Sequence, residues 1–296
     1  MQSGTCQCHR LAISLSKVLA DDHLEAYFRR AIQAVSSEEI NKVIKFRYKD
    51  DALASLLGRL FLRQMVRRMT SVEWNEIEFG RTEKGKPFIS SPPNVTFGVN
   101  VTHQGDYVAL ASSCSSEIGV DCMRLEKLRN NKTADEYINS MERSSSPEEL
   151  RQMRGQPTEQ MKMAYFYRYW CLKEAVLKAT GEGLLSDLRR LDFAINPSDK
   201  YRQGCFVTST TMKRDGILQD QWIFEETFID STHAAAVCRL KNAPKNCMFS
   251  IDPERRLFFG KVDLDFLLEG SSVITPLSFD GTDEWIEFVN KPRKNF

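Results

Sequence analysis

No two of the eight cysteines stand in a CxxC pair. Cys6 and Cys8, beside His9, have the chemistry to bind a metal ion. No second pair with zinc-site spacing follows them, so the cysteines read as reduced thiols. No apolar run is long enough to cross a membrane. The N-terminal stretch LAISLSKVLADDH is too short and too interrupted for a secretory signal. Neither sign of charge is in excess: 41 Lys and Arg stand against 40 Asp and Glu, a net charge of +1. Nucleic-acid binders carry a clear basic excess, so that class is set aside. These absences predict a cytosolic chain with no nucleic-acid and no membrane partner.

What is present is a chain of 296 residues with 42% hydrophobic side chains, enough for a sizeable core. Its patterning alternates helices and strands and predicts an α/β (α+β) fold. The central stretch is Phe166 to Leu185, FYRYWCLKEAVLKATGEGLL, which reads as a helix ending at Gly181 and Gly183. Glu174 and Lys178 are one turn apart on one face, with Trp170 a turn earlier. Spacing alone makes them a solvated salt bridge. The rest of the chain supplies an acid, a histidine and a basic loop that could complete a phosphate–metal site.

Earlier in the chain, residues 10–20 alternate like a first strand, and Glu25 to Val35 reads as a short helix. Ser36 and Ser37 before Glu38 and Glu39 mark a helix N-terminus. Asp51 to Arg68 is strongly amphipathic, with Leu53, Leu56, Leu57, Leu60, Phe61 and Met65 at helical spacing for a core role. A hairpin-like loop follows, where Arg81, Lys84 and Lys86 surround Gly85. It is either an exposed basic turn or an anion cradle, since glycine lets the backbone approach a phosphate. Val95 to Val101 reads as a strand leading into Thr102-His103-Gln104-Gly105, and Tyr107 opens another. Ile118 to Asp121 is a third, placing an acid at a strand end.

Residues 124–160 are polar and read as a mobile connection with some helix. Leu191 to Ile195, Cys205 to Ser209, Gln221 to Phe228 and Ala234 to Leu240 read as strands. THAAAVCRL loosely echoes THQGDYVAL, which hints at two similar subdomains; His233, in that echo, reads as structural. The expected division is 1–118, 119–240 and a C-terminal appendage at 241–296, the last with short strands and no recognisable chemistry.

These residues resemble the large, monomeric Sfp-type 4′-phosphopantetheinyl transferases. The resemblance is carried by Gly119-Val120-Asp121 and by Trp170-Cys171-Leu172-Lys173-Glu174-Ala175-Val176-Leu177-Lys178. It is supported by the run from Arg81 to Pro87 and by Asn100 to Tyr107, all in the family's order. It extends from about residue 35 to 240. The family implies two similar subdomains related by a pseudo-two-fold axis, with coenzyme A and Mg2+ in the cleft between them. It implies a monomer that moves the 4′-phosphopantetheine arm of coenzyme A to a serine of an acyl carrier protein, releasing 3′,5′-ADP. Carrier domains of multidomain synthases and of aminoadipate-type reductases are the other implied acceptors.

Carried over residue by residue, the resemblance makes Asp121 and Glu174 metal ligands, with Gln104 a candidate beside them. Glu174 and Lys178 become the catalytic pair. Lys178 and His103 become phosphate contacts, and Arg81, Lys84 and Lys86 hold the nucleotide end. Lys42 stands where a cation touching coenzyme A is expected. Thr82, Glu83, Gly85, Asn100, Val101 and Thr102 complete the implied coenzyme A contacts. Bacterial members often carry a third acid two residues after the aspartate; here that position is Met123, as in animal members that also lack it. Arg124, Lys127, Arg129 and Lys132 either receive an acidic carrier helix or form a solvated charged segment.

The chemistry suits these residue types. Magnesium takes oxygen ligands, usually one or two carboxylates plus phosphates and water. A lysine stabilises charge on the leaving phosphate. Glu174 could accept the serine proton directly or through water. Two rivals remain: a magnesium-dependent phosphohydrolase using the same acids, and a catalytically inactive coenzyme A-binding module. The intact Asp121, Glu174 and Lys178 set weighs against the module, which would not need it.

Overall fold

The computed structural model describes residues 6–125, 133–183 and 187–294. The first half runs β1 (His9–Ser14), α1 (Leu15–Leu19), α2 (Leu24–Gln33), α3 (Ser37–Ile44) and α4 (Lys49–Thr70). Strands β2 (Glu78–Arg81), β3 (Pro87–Ser91), β4 (Gly98–Gln104) and β5 (Tyr107–Ser113) follow. The single strand expected over 10–20 breaks at Ser14. There the serine hydroxyl accepts the Lys17 N–H and donates to Asp106, so the chain turns straight into a helix. α3 starts at the expected helix N-terminus, with a capping box: Ser36 and Glu39 each satisfy the other's backbone N–H. α4 buries the six apolar residues that its periodicity singles out.

The second half begins with β6 (Ile118–Arg124), then α5 (Ala134–Ser140), α6 (Pro147–Arg154) and α7 (Glu159–Thr180). Strands β7 (Leu191–Ala194), β8 (Thr211–Arg214), β9 (Ile217–Leu218), β10 (Trp222–Phe228) and β11 (His233–Leu240) complete it. Two capping boxes, Thr133 with Glu136 and Ser146 with Glu149, start α5 and α6 inside the stretch read as a connection. The strand expected at 205–209 is reduced to one bridge, Val207 to Glu226. The pairing partner of β7 is instead 211–214.

After β11 come α8 (Met248–Ile251), β12 (Gly260–Lys261), α9 (Leu264–Leu268) and α10 (Thr282–Val289). The short strands expected there are mostly helices. Leu264, Leu267, Leu268 and Phe288 bury themselves in the same core as α2, α3 and α4, which a local pattern cannot reveal. β12 adds to β1 in parallel, so residues of the last segment complete the sheet of the first half.

One sheet has the order β12-β1-β5-β4 and another β10-β11-β6. Ala12, Ala109, Ala111, Val120, Ala235 and Val237 lie in one buried cluster between them. Alanine at four of these inward positions lets two sheets approach closely. The other face of the first sheet is covered by α4, and that of the second by α7. All seven residues of β5 are therefore buried.

Candidate active site

The site forms where α7 crosses β6. Gly119 makes that crossing possible: a Cβ there would lie 2.0 Å from the Ala175 carbonyl oxygen. With backbone against backbone, Asp121, two residues along the same strand face, comes to Lys178 on α7. Lys178 Nζ donates to Asp121 Oδ1 at 2.7 Å, to Thr102 Oγ1 at 2.9 Å and to the Val120 carbonyl at 3.1 Å. Thr102 Oγ1 also donates to Asp121 Oδ1 at 3.1 Å. The other carboxylate oxygen, Asp121 Oδ2, is buried and has no hydrogen-bond partner. Such an oxygen in a native fold is open to an ordered water or an ion.

Glu174 lies one turn before Lys178 and is half-buried. Burial, and then the Asp121 charge, push its carboxyl above the ordinary carboxylate range. Burial alone would depress the Lys178 ammonium, yet the Asp121 carboxylate beside it holds it above its usual value. Lys178 makes its ion pair with Asp121. On this face the lysine therefore reaches across to the strand, in place of the helix-surface pairing with Glu174 that spacing alone proposes. Met123, where the resemblance left room for a third acid, packs against the core that α7 helps to form.

The basic loop reaches this face through Lys86. Its ammonium donates to the Ala179 carbonyl at the end of α7, at 2.5 Å. Burial lowers the Lys86 ammonium from its usual value. Gly181 ends α7 in the left-handed region, and a Cβ there would meet Lys86 Cδ at 2.7 Å. The loop is a tight turn: Gly85 N–H donates to the Thr82 carbonyl at 2.8 Å, and Thr82 N–H to the Lys86 carbonyl at 2.9 Å. Arg81 donates to the Gly85 carbonyl at 2.9 Å. Gly85 has φ +85°, and the space a Cβ would occupy is open. Glu83 and Lys84 are exposed on this turn.

A cavity of about 300 Å3 joins the two parts. Lys84, Gly85 and Lys86 line one side; Asn100, Val101, Glu174 and Lys178 line the other. Leu177, Gly181 and Gly183 close it. The two glycines carried a signal in the sequence only as helix terminators, and Leu177 only as a member of the Trp170–Lys178 motif. Asn100 also ties the strands together, its Oδ1 accepting the Val120 N–H at 2.9 Å.

The remaining candidates sit around this centre. His103 is exposed at the end of β4, and its crowded surroundings and Lys178 push its imidazole below the ordinary value. Gln104 Oε1 accepts the Arg124 N–H at 2.6 Å, which uses one of its two lone pairs. Lys42 is on α3, paired with Glu38 one turn before it. Of the basic residues after Asp121, Arg124 ends β6, while Lys127, Arg129 and Lys132 lie outside the described residues. His233 holds the fold: Nε2 accepts the Asp106 N–H at 3.1 Å, and Nδ1 bonds Asp230 at 3.0 Å.

In this α/β fold one carboxylate, Glu174, one lysine, Lys178, and the cationic turn line a common cavity, and Asp121 is bonded to Lys178 beside it. Residues 23–115 match the family model "4'-phosphopantetheinyl transferase, N-terminal", and residues 117–238 match "4'-phosphopantetheinyl transferase superfamily". The L-aminoadipate-semialdehyde dehydrogenase-phosphopantetheinyl transferase of Pongo abelii is 35% identical over 214 residues, covering 71% of this chain and 69% of that one. The protein of the same name from Xenopus laevis is 30% identical over 273 residues, 89% of this chain and 87% of that one. The 4'-phosphopantetheinyl transferase of Bacillus subtilis is 32% identical over 155 residues, 52% and 64% of the two chains. The chain belongs to the 4′-phosphopantetheinyl transferase superfamily and is a transferase enzyme. No helix among the described residues is long and apolar enough to cross a membrane.

Proposed function

We propose that this enzyme transfers the 4′-phosphopantetheine arm of coenzyme A to a serine hydroxyl of a carrier protein or carrier domain, with magnesium, and releases 3′,5′-ADP. The acceptors include acyl carrier proteins and the carrier domains of multidomain synthases and aminoadipate-type reductases. The enzyme works as a cytosolic monomer, with its two halves related by a pseudo-two-fold axis and the ligands in the cleft between them. One observation carries this reading: a single cavity is lined by the cationic turn Lys84–Lys86 on one side and by Glu174 and Lys178 on the other. That is the distribution a nucleotide with charge at both ends requires.

The donor set fits magnesium. Asp121 offers a buried carboxylate oxygen without a partner, and Glu174 is close enough to feel the Asp121 charge. Asp121 and Glu174 are the proposed ligands, and Gln104 has one lone pair left for an outer contact. Bound there, magnesium would neutralise the diphosphate of coenzyme A. The chain's own groups do the rest. Lys84, Lys86 and Arg81 hold the 3′-phosphate end, with Thr82, Glu83 and the open backbone face of Gly85 against it. Lys42 and His103 give outer phosphate contacts, and Asn100, Val101 and Thr102 form the wall.

Lys178 orients Asp121 and stabilises charge on the leaving phosphate. The serine oxygen bonds to the phosphorus carrying the pantetheine arm, the bond from that phosphorus to the 3′,5′-ADP oxygen breaks, and Glu174 accepts the serine proton directly or through water.

The test is incubation with coenzyme A, magnesium and several apo carriers, followed by mass spectrometry of the carrier. Gain of one phosphopantetheine supports the reading. Nucleotide release without carrier modification would make the enzyme a hydrolase, and binding without either would make it a coenzyme A-binding module.

A further inference from the structure

Four cysteines far apart in the chain converge at one end of the first sheet. Cys6 and Cys8 lie just before β1, Cys114 just after β5, and Cys247 at the N-terminus of α8. All four sulfurs lie within 4.8 Å of one another. Cys6 Sγ is 3.6 Å from Cys114 Sγ and 3.8 Å from Cys247 Sγ. Cys8 Sγ is 3.8 Å from Cys114 Sγ and 3.6 Å from Cys247 Sγ. Zinc bound to four thiolates at ~2.3 Å spaces them ~3.8 Å apart at the corners of a tetrahedron. Each sulfur here has two neighbours at nearly equal distance. Two disulfides would instead pair them, with S–S contacts of ~2 Å.

The surroundings match such a centre. The Gln7 N–H points at Cys114 Sγ, 3.1 Å away, and the Met248 N–H at Cys6 Sγ, 3.4 Å away. Amides directed at sulfur stabilise thiolates and fix ligand orientation. Phe249, Ala243, Met248 and Leu257 pack around the four cysteines. An all-sulfur donor set rejects magnesium and calcium and selects zinc or iron. Four protein ligands leave no open position, which is the form of a structural site.

We propose that Cys6, Cys8, Cys114 and Cys247 bind one zinc ion that clamps the start of β1, the end of β5 and the segment after β11 together. The clamp fixes the point from which residues 248–294 return across the first sheet. From there β12 pairs with β1, and α9 and α10 reach the core around α4. The sequence hid this site because its ligands come from three segments, and only the Cys6–Cys8 pair is local. The magnesium site needs oxygen donors in the cleft, so this centre is chemically distinct from it.

The full chain, purified under reducing conditions without a metal-affinity tag, is to be assayed by elemental mass spectrometry, then stripped with a chelator and titrated with zinc. The expected result is about one zinc per chain, retained through gel filtration, with the four cysteines protected from thiol reagents until it is removed. Cobalt in its place should give the absorption bands of a tetrahedral tetrathiolate ion. Cys114→Ser and Cys8→Ser should each reduce bound zinc by about tenfold or more. Cys122→Ser and Cys205→Ser, outside the cluster, should leave it unchanged. Because either cluster variant could misfold, the titration and cobalt spectrum of the unmodified chain decide the question. No stoichiometric metal after titration, or disulfides among these four cysteines by peptide mapping of the native protein, overturns the site. Iron in place of zinc overturns the choice of metal. None of these readouts depends on transferase activity, so the proposal can fail while the proposed transfer reaction stands.

Discussion

Lys178 Nζ lies 2.7 Å from Asp121 Oδ1, and that bond crosses from α7 to β6 beside the cavity that Lys178 lines. It leaves the other oxygen, Asp121 Oδ2, buried without a hydrogen-bond partner among the described residues. The lysine and a metal ion can therefore share the same carboxylate without competing for the same atom.

On the proposed reading, Asp121→Ala should reduce carrier modification to background, because magnesium would lose a ligand and the diphosphate its alignment. The geometry adds a cost in stability. Lys178 would lose its ion pair at a buried site, worth ~1–3 kcal/mol. Circular dichroism should still show the native fold at room temperature, with a lower thermal midpoint. Wild-type turnover in this variant would remove Asp121 from the site.

Glu174→Gln and Lys178→Ala should separate chemistry from packing. Glu174 sits where burial already disfavours its charge, so the amide should leave thermal stability within ~1 kcal/mol of wild type. Transfer should fall by ~100-fold or more if Glu174 is ligand, base or both. Lys178→Ala should slow transfer and also cost ~1–3 kcal/mol, since it strands Asp121. Metal binding, followed by calorimetry, should persist in Lys178→Ala. A solvated Glu174–Lys178 pair would instead predict full activity in both and stability changes of only ~0.3–0.5 kcal/mol.

Lys84 and Lys86 should differ in stability but agree in substrate preference. Lys86 is tied to the Ala179 carbonyl, so Lys86→Ala should lower stability by ~0.5–1.5 kcal/mol. Exposed Lys84 should tolerate alanine without measurable loss. The double variant should weaken coenzyme A more than dephospho-coenzyme A, because both cations are assigned to the 3′-phosphate. Equal weakening of the two donors, measured by KM, would detach the loop from that phosphate.

Acid stability should report on Asp230. Burial would raise its carboxyl, but the Thr232 N–H and the His233 side chain outweigh that and hold it at about 2. A depressed carboxyl stabilises the fold above its unfolded value of ~4 and loses that contribution as pH falls towards 2. Wild type should therefore lose stability across this window. Asp230→Asn should be less stable at neutral pH, with a gap that closes below about pH 2. Denaturant midpoints at a series of pH values measure it; a constant gap would show that Asp230 is not linked to folding in this way.

The candidate residues that the structure gathers around one cavity were legible where their signals are local. Glu174 and Lys178 share a face through helical spacing, Gly181 announces the end of α7, and the glycine among cations marks a turn. The central helices were legible for the same reason: α4 repeats its apolar residues at helical spacing, and Ser36 with Glu39 is a cap written in four residues. Matters that depend on distant partners were not. Residues 10–20 alternate like a strand, but Asp106, from the β4–β5 turn, holds Ser14 and bends the chain into α1. The last segment has too weak a local pattern to show that Leu267 and Phe288 complete the core of the first half.

The sequence by itself determined the alternation of helices and strands, the family motifs and the residue types around the cleft, because these rest on spacing within a few turns. Only the tertiary structure decided which groups meet. Gly119 lets β6 press against α7, which turns Lys178 towards Asp121. The same folding brings Cys114 and Cys247 to Cys6 and Cys8. Contacts between segments far apart in the chain depend on how sheets and helices pack, and no local periodicity encodes them.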